Sequence, residues 1–453
     1  MLGYGIGDFG FNLYWSTLSL FVLYYYTDVI GIPARTAGLI ILIALVWDGI
    51  TDPLMGYLAE RTRTRWGSYR PYLLFGGPPL AASLMLMFYK PDMAGAALVL
   101  YAAVTHLVLR TTYTIMSIPY GALSARMTSN SAERNWLAAC RMVCATSAAL
   151  FASFFTLRLA NQFGGGDQAV GFFWVGVLFA VLSLPLFLIV FASTDESGPG
   201  PGSDGVPSAA DTDRPTIGRI VGSMARNPAF LIVTAAVLLG ILGGTFSMKT
   251  LIYYFKYNLG NAEAAGTALA VVTGGMVLLV PVWAAIATRT NKRTVWLAGL
   301  AIGIAANLML YLNPVQTPGV VTLLFALVAV GSAPGALCIW STLPDTVELG
   351  EWRSGVRTES TLFGAMQLML KVGSGLGAAM LGFMLDGIGF QANVDQTPET
   401  MAGIKVIMTL LPAGLGVAGL VLVYFYPLDQ RTHARLVRAL AWRRKRRAAR
   451  SVP

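Results

Sequence analysis

Long apolar runs recur along this chain, separated by short polar breaks. They fall at approximately 4–30, 36–59, 71–89, 95–121, 138–161, 169–192, 229–258, 263–287, 294–313, 318–343, 359–387 and 402–427. Each has about the 20 apolar residues that an α-helix needs to cross a bilayer. The pattern predicts an all-α membrane protein with twelve transmembrane helices.

Basic residues mark alternate breaks: Arg61, Arg63, Arg65 and Arg70; Arg126 and Arg134; Arg289, Lys292 and Arg293; Arg353 and Arg357. The intervening breaks are nearly free of Arg and Lys, Lys90 excepted. This is the positive-inside pattern, and an even number of spans then puts the N- and C-termini in the cytoplasm. Met1–Gly3 leads straight into Tyr4 without a basic n-region, so the first run reads as a retained helix rather than a cleaved signal.

Composition agrees with the pattern. Hydrophobic residues make up 55% of the 453 and charged residues 12%, about half the charge of a soluble chain. Mean hydropathy is +0.63. The net charge of +10 sits largely in the breaks and in the tail "RTHARLVRALAWRRKRRAARSVP", which argues against a nucleic-acid partner. That tail, 428–453, is suited to anionic lipid. Cys140, Cys144 and Cys338 lie in apolar segments with no ligand partners nearby, and read as buried thiols rather than a metal site.

The stretch "STDESGPGPGSDGVPSAADTDRPTIGRIVGSMARNP" is a flexible linker by composition. It divides the chain into a six-helix bundle over 1–193, a linker over 194–227 and a second bundle over 228–427. The bundles are alike in sequence: "LYYYTDVIGIPARTAG" matches "LIYYFKYNLGNAEAAG". From the closing glycines, Gly38 and Gly266, equal intervals lead to the basic turns at Arg61 and Arg289. Two similar six-helix halves resemble the major facilitator superfamily, which binds substrate near the bilayer midplane.

Against that background the polar residues inside spans carry the chemistry, because ionisable groups in hydrocarbon are functional by default. Asp48 and Asp52 share one face of the second helix, at i and i+4. The corresponding positions of the second half are Met276 and Val280, so the architecture does not itself demand acids there. Two carboxylates this close require a cation, a proton or a basic side chain. The pair is a candidate coupling-ion site for Na⁺ or H⁺. Lys371, the mid-span charge of the eleventh helix, is its expected charge partner, with Gly373, Gly375 and Gly377 beside it serving close helix packing.

The fourth helix carries His106, Arg110, Thr114 and Ser117 along one stripe. Arg110, near mid-membrane, suits either an anionic group of a substrate or an internal acid. Arg141 of the fifth helix has the same two roles open to it. Asp8 and Asn12 on the first helix, Tyr120 on the fourth and Gln367 on the eleventh complete the expected substrate-binding set.

The blocks "YGIGDFGFNLYW", "YYYTDVIGI", "WDGITDPLMGYLAERTRTRWGSYRPYLL", "YTIMSIPYGAL", "PDTVELGEWRSGVRTES" and "MQLMLKVGSG" resemble the signatures of the glycoside–pentoside–hexuronide:cation symporter family, in order and over nearly the whole chain. The resemblance is to its melibiose-permease-like members. It implies that Asp48 and Asp52 are the cation-binding carboxylates, with Lys371 associated. Thr51 stands where galactoside carriers of the family have an Asn near the ion, and Thr114 matches a hydroxyl there. Arg141 matches an arginine of the sugar site. The segment "PDTVELGEWRSGVR" resembles a cytoplasmic signature, with Glu348 and Leu349 replacing its usual Asp-Tyr, and implies a gating loop containing Asp345, Glu348 and Arg353.

Galactoside carriers hold sugar hydroxyls with one Asp on the first helix and one on the fourth; here those positions are Asn12 and Ser117. With two acceptor charges gone and Arg110 added, an acidic sugar such as a uronide fits better than a neutral galactoside. The expected function is cation-coupled symport of a sugar or glycoside, in a bacterial inner membrane, by a protein functional as a monomer. There is no cofactor beyond the coupling Na⁺ or H⁺. Alternatives are a lysophospholipid transporter of the same fold and a membrane sensor that does not transport. An enzyme is excluded by the lack of a nucleophile–base pair, metal cluster or nucleotide loop.

Overall fold

In hydrocarbon, a helix keeps every backbone polar group satisfied within itself, so each apolar run folds as one. The computed structural model describes residues 2–127, 131–196, 222–354 and 359–428, with 432–433, 435–436, 438–440 and 442–443. Most of the linker (197–221), Arg357, the side chains of Arg126 and Arg134, and most of the basic tail lie outside the described residues.

The helices are α1 (Leu2–Tyr24), α2 (Ala34–Arg61), α3 (Arg70–Phe88), α4 (Gly95–Met127), α5 (Ser131–Gly164), α6 (Gln168–Ser193), α7 (Pro228–Tyr253), α8 (Ala262–Arg289), α9 (Lys292–Leu312), α10 (Pro318–Ser354), α11 (Glu359–Gly387), α12 (Pro398–Met408) and α13 (Leu410–Tyr424). The last two join at Thr409 into one span, Pro398–Tyr424. Eleven stretches among the described residues are long and apolar enough to cross a membrane. The twelfth expected span is α1, whose apolar length is diluted by Gly3, Gly5, Gly7, Gly10, Asp8 and Asn12.

Burial is arranged for lipid. On α2 the exposed residues Ile43, Val46, Trp47, Ile50, Leu54 and Leu58 form an apolar stripe, while Asp48 is buried on another face. On this helix those apolar residues face outward and Asp48 inward, as a bilayer favours.

Two compact units are distinguished: Met1–Pro207 with Met248–Gly274 and Gly375–Lys405, and Ser208–Ser247 with Gly275–Ser374 and Val406–Pro453. The first unit holds α1–α6, the C-terminal parts of α7 and α11, the N-terminal part of α8 and most of α12. The second holds α9, α10, α13 and the remaining parts of α7, α8, α11 and α12. Compactness thus groups the helices differently from the linker of 194–227.

The internal repeat has a structural counterpart. α1 passes into a π-turn at Tyr25–Val29, and α7 into another at Tyr254–Asn258. Gly31 and Gly260 follow, at φ +79° and +67°, in the left-handed region that glycine enters without a Cβ penalty. Ile30 and Ile32 donate to Tyr25 and Tyr26 as Leu259 and Asn261 donate to Tyr254 and Phe255. The second connection is one residue shorter, after which α2 and α8 both run for 28 residues. Pro53 and Pro281 occupy the same place in each.

The basic turn after α2 is held from α6. The Glu196 carboxylate accepts the backbone N–H groups of Ser68, Tyr69 and Arg70 at 2.6, 2.7 and 2.7 Å, capping the N-terminus of α3. Gly67, at φ +103°, leaves room for it: a Cβ there would lie 2.5 Å from the Glu196 carboxyl carbon. Glu196→Ala is expected to cost about 1–3 kcal/mol, since three donors at a helix start lose a charged acceptor. Thermal unfolding of the detergent-solubilised variant checks this; an unchanged Tm would remove the cap from the fold's energetics.

Candidate functional site

Two polar clusters lie inside the first unit. The first is built on the buried face of α2. Asp48 pairs with Arg110 of α4, Oδ2 to Nη2 at 2.6 Å, and both side chains are only 5% exposed. One turn on, half-buried Asp52 accepts a hydrogen bond from the Thr114 hydroxyl at 2.8 Å. The i, i+4 spacing on each helix thus lays Asp48 and Asp52 against Arg110 and Thr114 as two rungs. Arg110 also sits over the Trp15 ring of α1, 5.0 Å from its centroid. Of its two expected roles, Arg110 occupies the internal one. Thr51 is buried, but its hydroxyl donates to the Trp47 carbonyl of its own helix at 3.1 Å.

His106, one turn from Arg110, is buried, and its Nδ1 lies 2.9 Å from the Tyr26 hydroxyl. Ser117 is half-buried on the same helix.

The second cluster joins α1, α4 and α5. Asp8 receives Arg141 through two bonds, Nε to Oδ2 at 2.6 Å and Nη2 to Oδ1 at 3.2 Å. The Tyr120 hydroxyl lies 2.7 Å from Asp8 Oδ2 and 2.7 Å from the Tyr4 carbonyl. The Tyr4 and Tyr120 rings stack with centroids 4.6 Å apart, and Phe11 packs on Tyr120 as well. Tyr120 belongs to the expected substrate-binding set, and its ring is packed against Tyr4 and Phe11. Glycine permits the approach of the three helices: a Cβ on Gly5 would lie 2.9 Å from Cys140, and one on Gly7 2.8 Å from the Tyr120 ring. Asn12 turns back on its own helix, donating to the Asp8 carbonyl at 2.9 Å.

Lys371, half-buried, and Gln367, exposed, lie on the part of α11 that belongs to the second unit. Of the glycines beside Lys371, Gly373 faces Leu238 in that unit, and Gly375 faces Leu45 of α2 in the first.

The expected gating loop is not a loop. Asp345, Glu348 and Arg353 stand on the last turns of α10, which continues to Ser354, well past the end of the apolar run. Lys292 bridges to Asp345 at 2.9 Å, His433 lies 2.5 Å from Glu348, and Arg353 donates to the Arg226 carbonyl at 3.3 Å. The backbone stays helical outside the lipid because helical bonding is satisfied in either medium.

Two lysines, buried Lys249 and half-buried Lys256, went unremarked in the sequence. Lys249, in α7, donates its ammonium to the Ser19 carbonyl of α1. Lys256, in the second π-turn, pairs with Asp28 of the first at 2.7 Å. The signal was present, since a lysine inside "TFSMKTLIYYFKYNLG" is as costly as one in the eleventh span. A cavity of about 330 Å³ between α2, α3 and α4 is lined by Thr62, Tyr72, Phe75 and Thr112 and includes none of the charged groups.

Residues 3–430 match the protein family described as MFS/sugar transport protein. The chain is 30% identical over 451 residues to the glucuronide carrier protein homolog of Escherichia coli (strain K12), covering 98% of this chain and 96% of that protein. It is 30% identical over 437 residues to the isoprimeverose transporter of Lactiplantibacillus pentosus, covering 94% and 88%. A solved bacterial homolog of the human lysosomal transporter Spinster, inward-facing and unoccupied, shares the fold: TM-score 0.69, 14% identity, covering 96% of this chain and 97% of that one. The architecture is that of a multi-pass integral membrane protein.

Proposed function

We propose that this chain, which belongs to the MFS/sugar transport protein family of membrane transporters, is a secondary active symporter of a sugar or glycoside. Its motifs are those of the glycoside–pentoside–hexuronide:cation symporters, and it is a transporter of the major facilitator fold, not an enzyme. A coupling cation, Na⁺ or H⁺, binds at Asp48 and Asp52 and the sugar follows. Alternating access then delivers both across a bacterial inner membrane, by a monomer with cytoplasmic termini.

The observation that carries the coupling is the acid pair itself. Two carboxylates on one face of α2 bring two negative charges to one place, and Arg110 pairs with one of them, Asp48. Thr114 contributes its hydroxyl to Asp52. On the substrate side, the Asp8–Arg141 pair offers acceptors and donors for sugar hydroxyls, with Asn12 and Ser117 beside it. The names of the two relatives, a glucuronide carrier homolog and an isoprimeverose transporter, support sugars and glycosides as cargo.

The test is uptake by the purified protein in proteoliposomes under imposed Na⁺ or H⁺ gradients. Asp52→Asn is expected to lower gradient-driven accumulation about tenfold or more, because a neutral amide cannot balance the cation. Accumulation that survives Asp52→Asn at the original rate would remove the cation from this site.

A further inference from the structure

Lys249 is 7% exposed, and its ammonium donates to the Ser19 carbonyl. An ammonium has three donors and a full charge, and one neutral carbonyl satisfies little of either. Four other cations of the first unit have an acid: Arg110 has Asp48, Arg141 has Asp8, Lys256 has Asp28, and Arg158 has Glu263. Among the described residues no carboxylate pairs with Lys249. An uncompensated ammonium in low dielectric carries an effective penalty of about several kcal/mol, which an arriving anion would relieve.

Lys249 does not stand alone. Two other buried basic residues of the first unit, His106 and Arg110, stand one turn apart on α4. Arg110 is neutralised by Asp48, 2.6 Å from its Nη2. His106 is different. Its Nδ1 lies 2.9 Å from the Tyr26 hydroxyl, whose other acceptor, the Ala102 carbonyl, is 3.4 Å away. The shorter bond assigns the Tyr26 proton to Nδ1, which puts the ring hydrogen on Nε2 as a donor. Nε2 makes no hydrogen bond among the described residues. Lys249 therefore keeps donors beyond the one that Ser19 accepts, and no carboxylate pairs with it among the described residues.

We propose that Lys249 is the subsite for an anionic group, a carboxylate or sulfonate, on the sugar that this chain carries. This rests on the sugar-symporter reading and narrows it to monoanionic sugars. The division of labour follows from the charges. Asp48 and Asp52 make the cation site, and Lys249 makes a separate anion site that the substrate neutralises. The loaded transporter then reorients with both buried charges matched, whereas with the anion site empty Lys249 is held by the Ser19 carbonyl.

The test uses the full chain in nanodiscs with three probes: methyl β-D-glucuronide, its 6-sulfonate analogue and neutral methyl β-D-glucoside. The unsubstituted protein should bind one or both anionic probes about tenfold or more tighter than the glucoside, as a charge-assisted contact allows. Lys249→Gln should collapse that ratio towards one, and Lys249→Arg should restore most of it. Unliganded Lys249→Gln should melt no lower than the parent, since it removes an unmatched buried charge. A purely structural lysine would instead make the variant less stable and leave the ratio intact. If the glucoside binds as well as both anions, or the ratio survives Lys249→Gln, the anion subsite is wrong and sugar transport stands. If none of the three binds or is taken up, the sugar reading falls and this inference with it.

Discussion

Asp48→Asn is expected to cost about 3–5 kcal/mol of stability and to abolish coupled uptake, two losses with different causes. The first arises because Arg110 is 5% exposed and would be left a buried cation without its partner at 2.6 Å. Arg110→Gln should cost a similar amount by stranding the carboxylate. The double variant Asp48→Asn/Arg110→Gln strands neither, and should melt well above both single variants. Such a positive coupling is the mark of a real pair, commonly about 0.5–3 kcal/mol for residues in contact. Transport separates the two roles. If Asp48 only secures a helix crossing, the double variant regains uptake along with stability. If Asp48 is also a cation ligand, the double variant folds and still fails to accumulate sugar against a gradient. Apparent Tm in detergent and proteoliposome uptake on the same four proteins decide it. Single variants that melt like the parent would sink the buried pair, and full uptake by the double variant would sink the ion ligand.

What the sequence disclosed and what it hid divide along a physical line. Hydropathy reports where lipid begins and ends, so the spans and the repeat were legible from the apolar runs and from Gly38 and Gly266. It does not report where a helix ends, which is why the segment from Asp345 to Arg353 read as a loop when α10 continues through it. Helical spacing put Arg110 and Thr114 on one face of α4, and Asp48 and Asp52 on one face of α2. That these two faces meet rung by rung depends on helix packing, which spacing within one helix does not encode. The same limit explains Tyr120: an aromatic in a polar stripe looks available until Tyr4 and Phe11 are seen against its ring. Lys249 and Lys256 were overlooked for another reason. They sit in the more apolar half of the repeat, where the acids of the first half have no counterpart, and their meaning depends on which carboxylates they do or do not meet.

Lys256→Met should be the most damaging change outside the α2–α4 cluster. The Asp28 side chain is fully buried and is held by Lys256 at 2.7 Å, by the Thr27 hydroxyl at 2.7 Å and by the Tyr257 hydroxyl. Lys256 also donates to Asn393 Oδ1 at 2.7 Å, and its ammonium stands 5.2 and 5.1 Å from the Tyr24 and Tyr257 ring centroids. Asn393, at φ +60°, donates to the Asp28 carbonyl and closes the ring of contacts. Removing the lysine leaves a buried carboxylate with two hydroxyl donors and no cation, at a cost of about 3–5 kcal/mol. Adding Asp28→Asn removes the stranded charge and should recover most of the Tm. The consequence for transport follows from placement. The pair ties the π-turn after α1 to the π-turn after α7, and alternating access requires helices of the two sequence halves to part. A symporter that breaks this pair in each cycle should therefore move sugar faster, or bind it with a different KM, once Asp28→Asn/Lys256→Met has made the contact neutral. Lys256→Met melting with the parent would deny the pair any weight in the fold. A neutral double variant with parental kcat and KM would mean that the two turns stay together throughout transport.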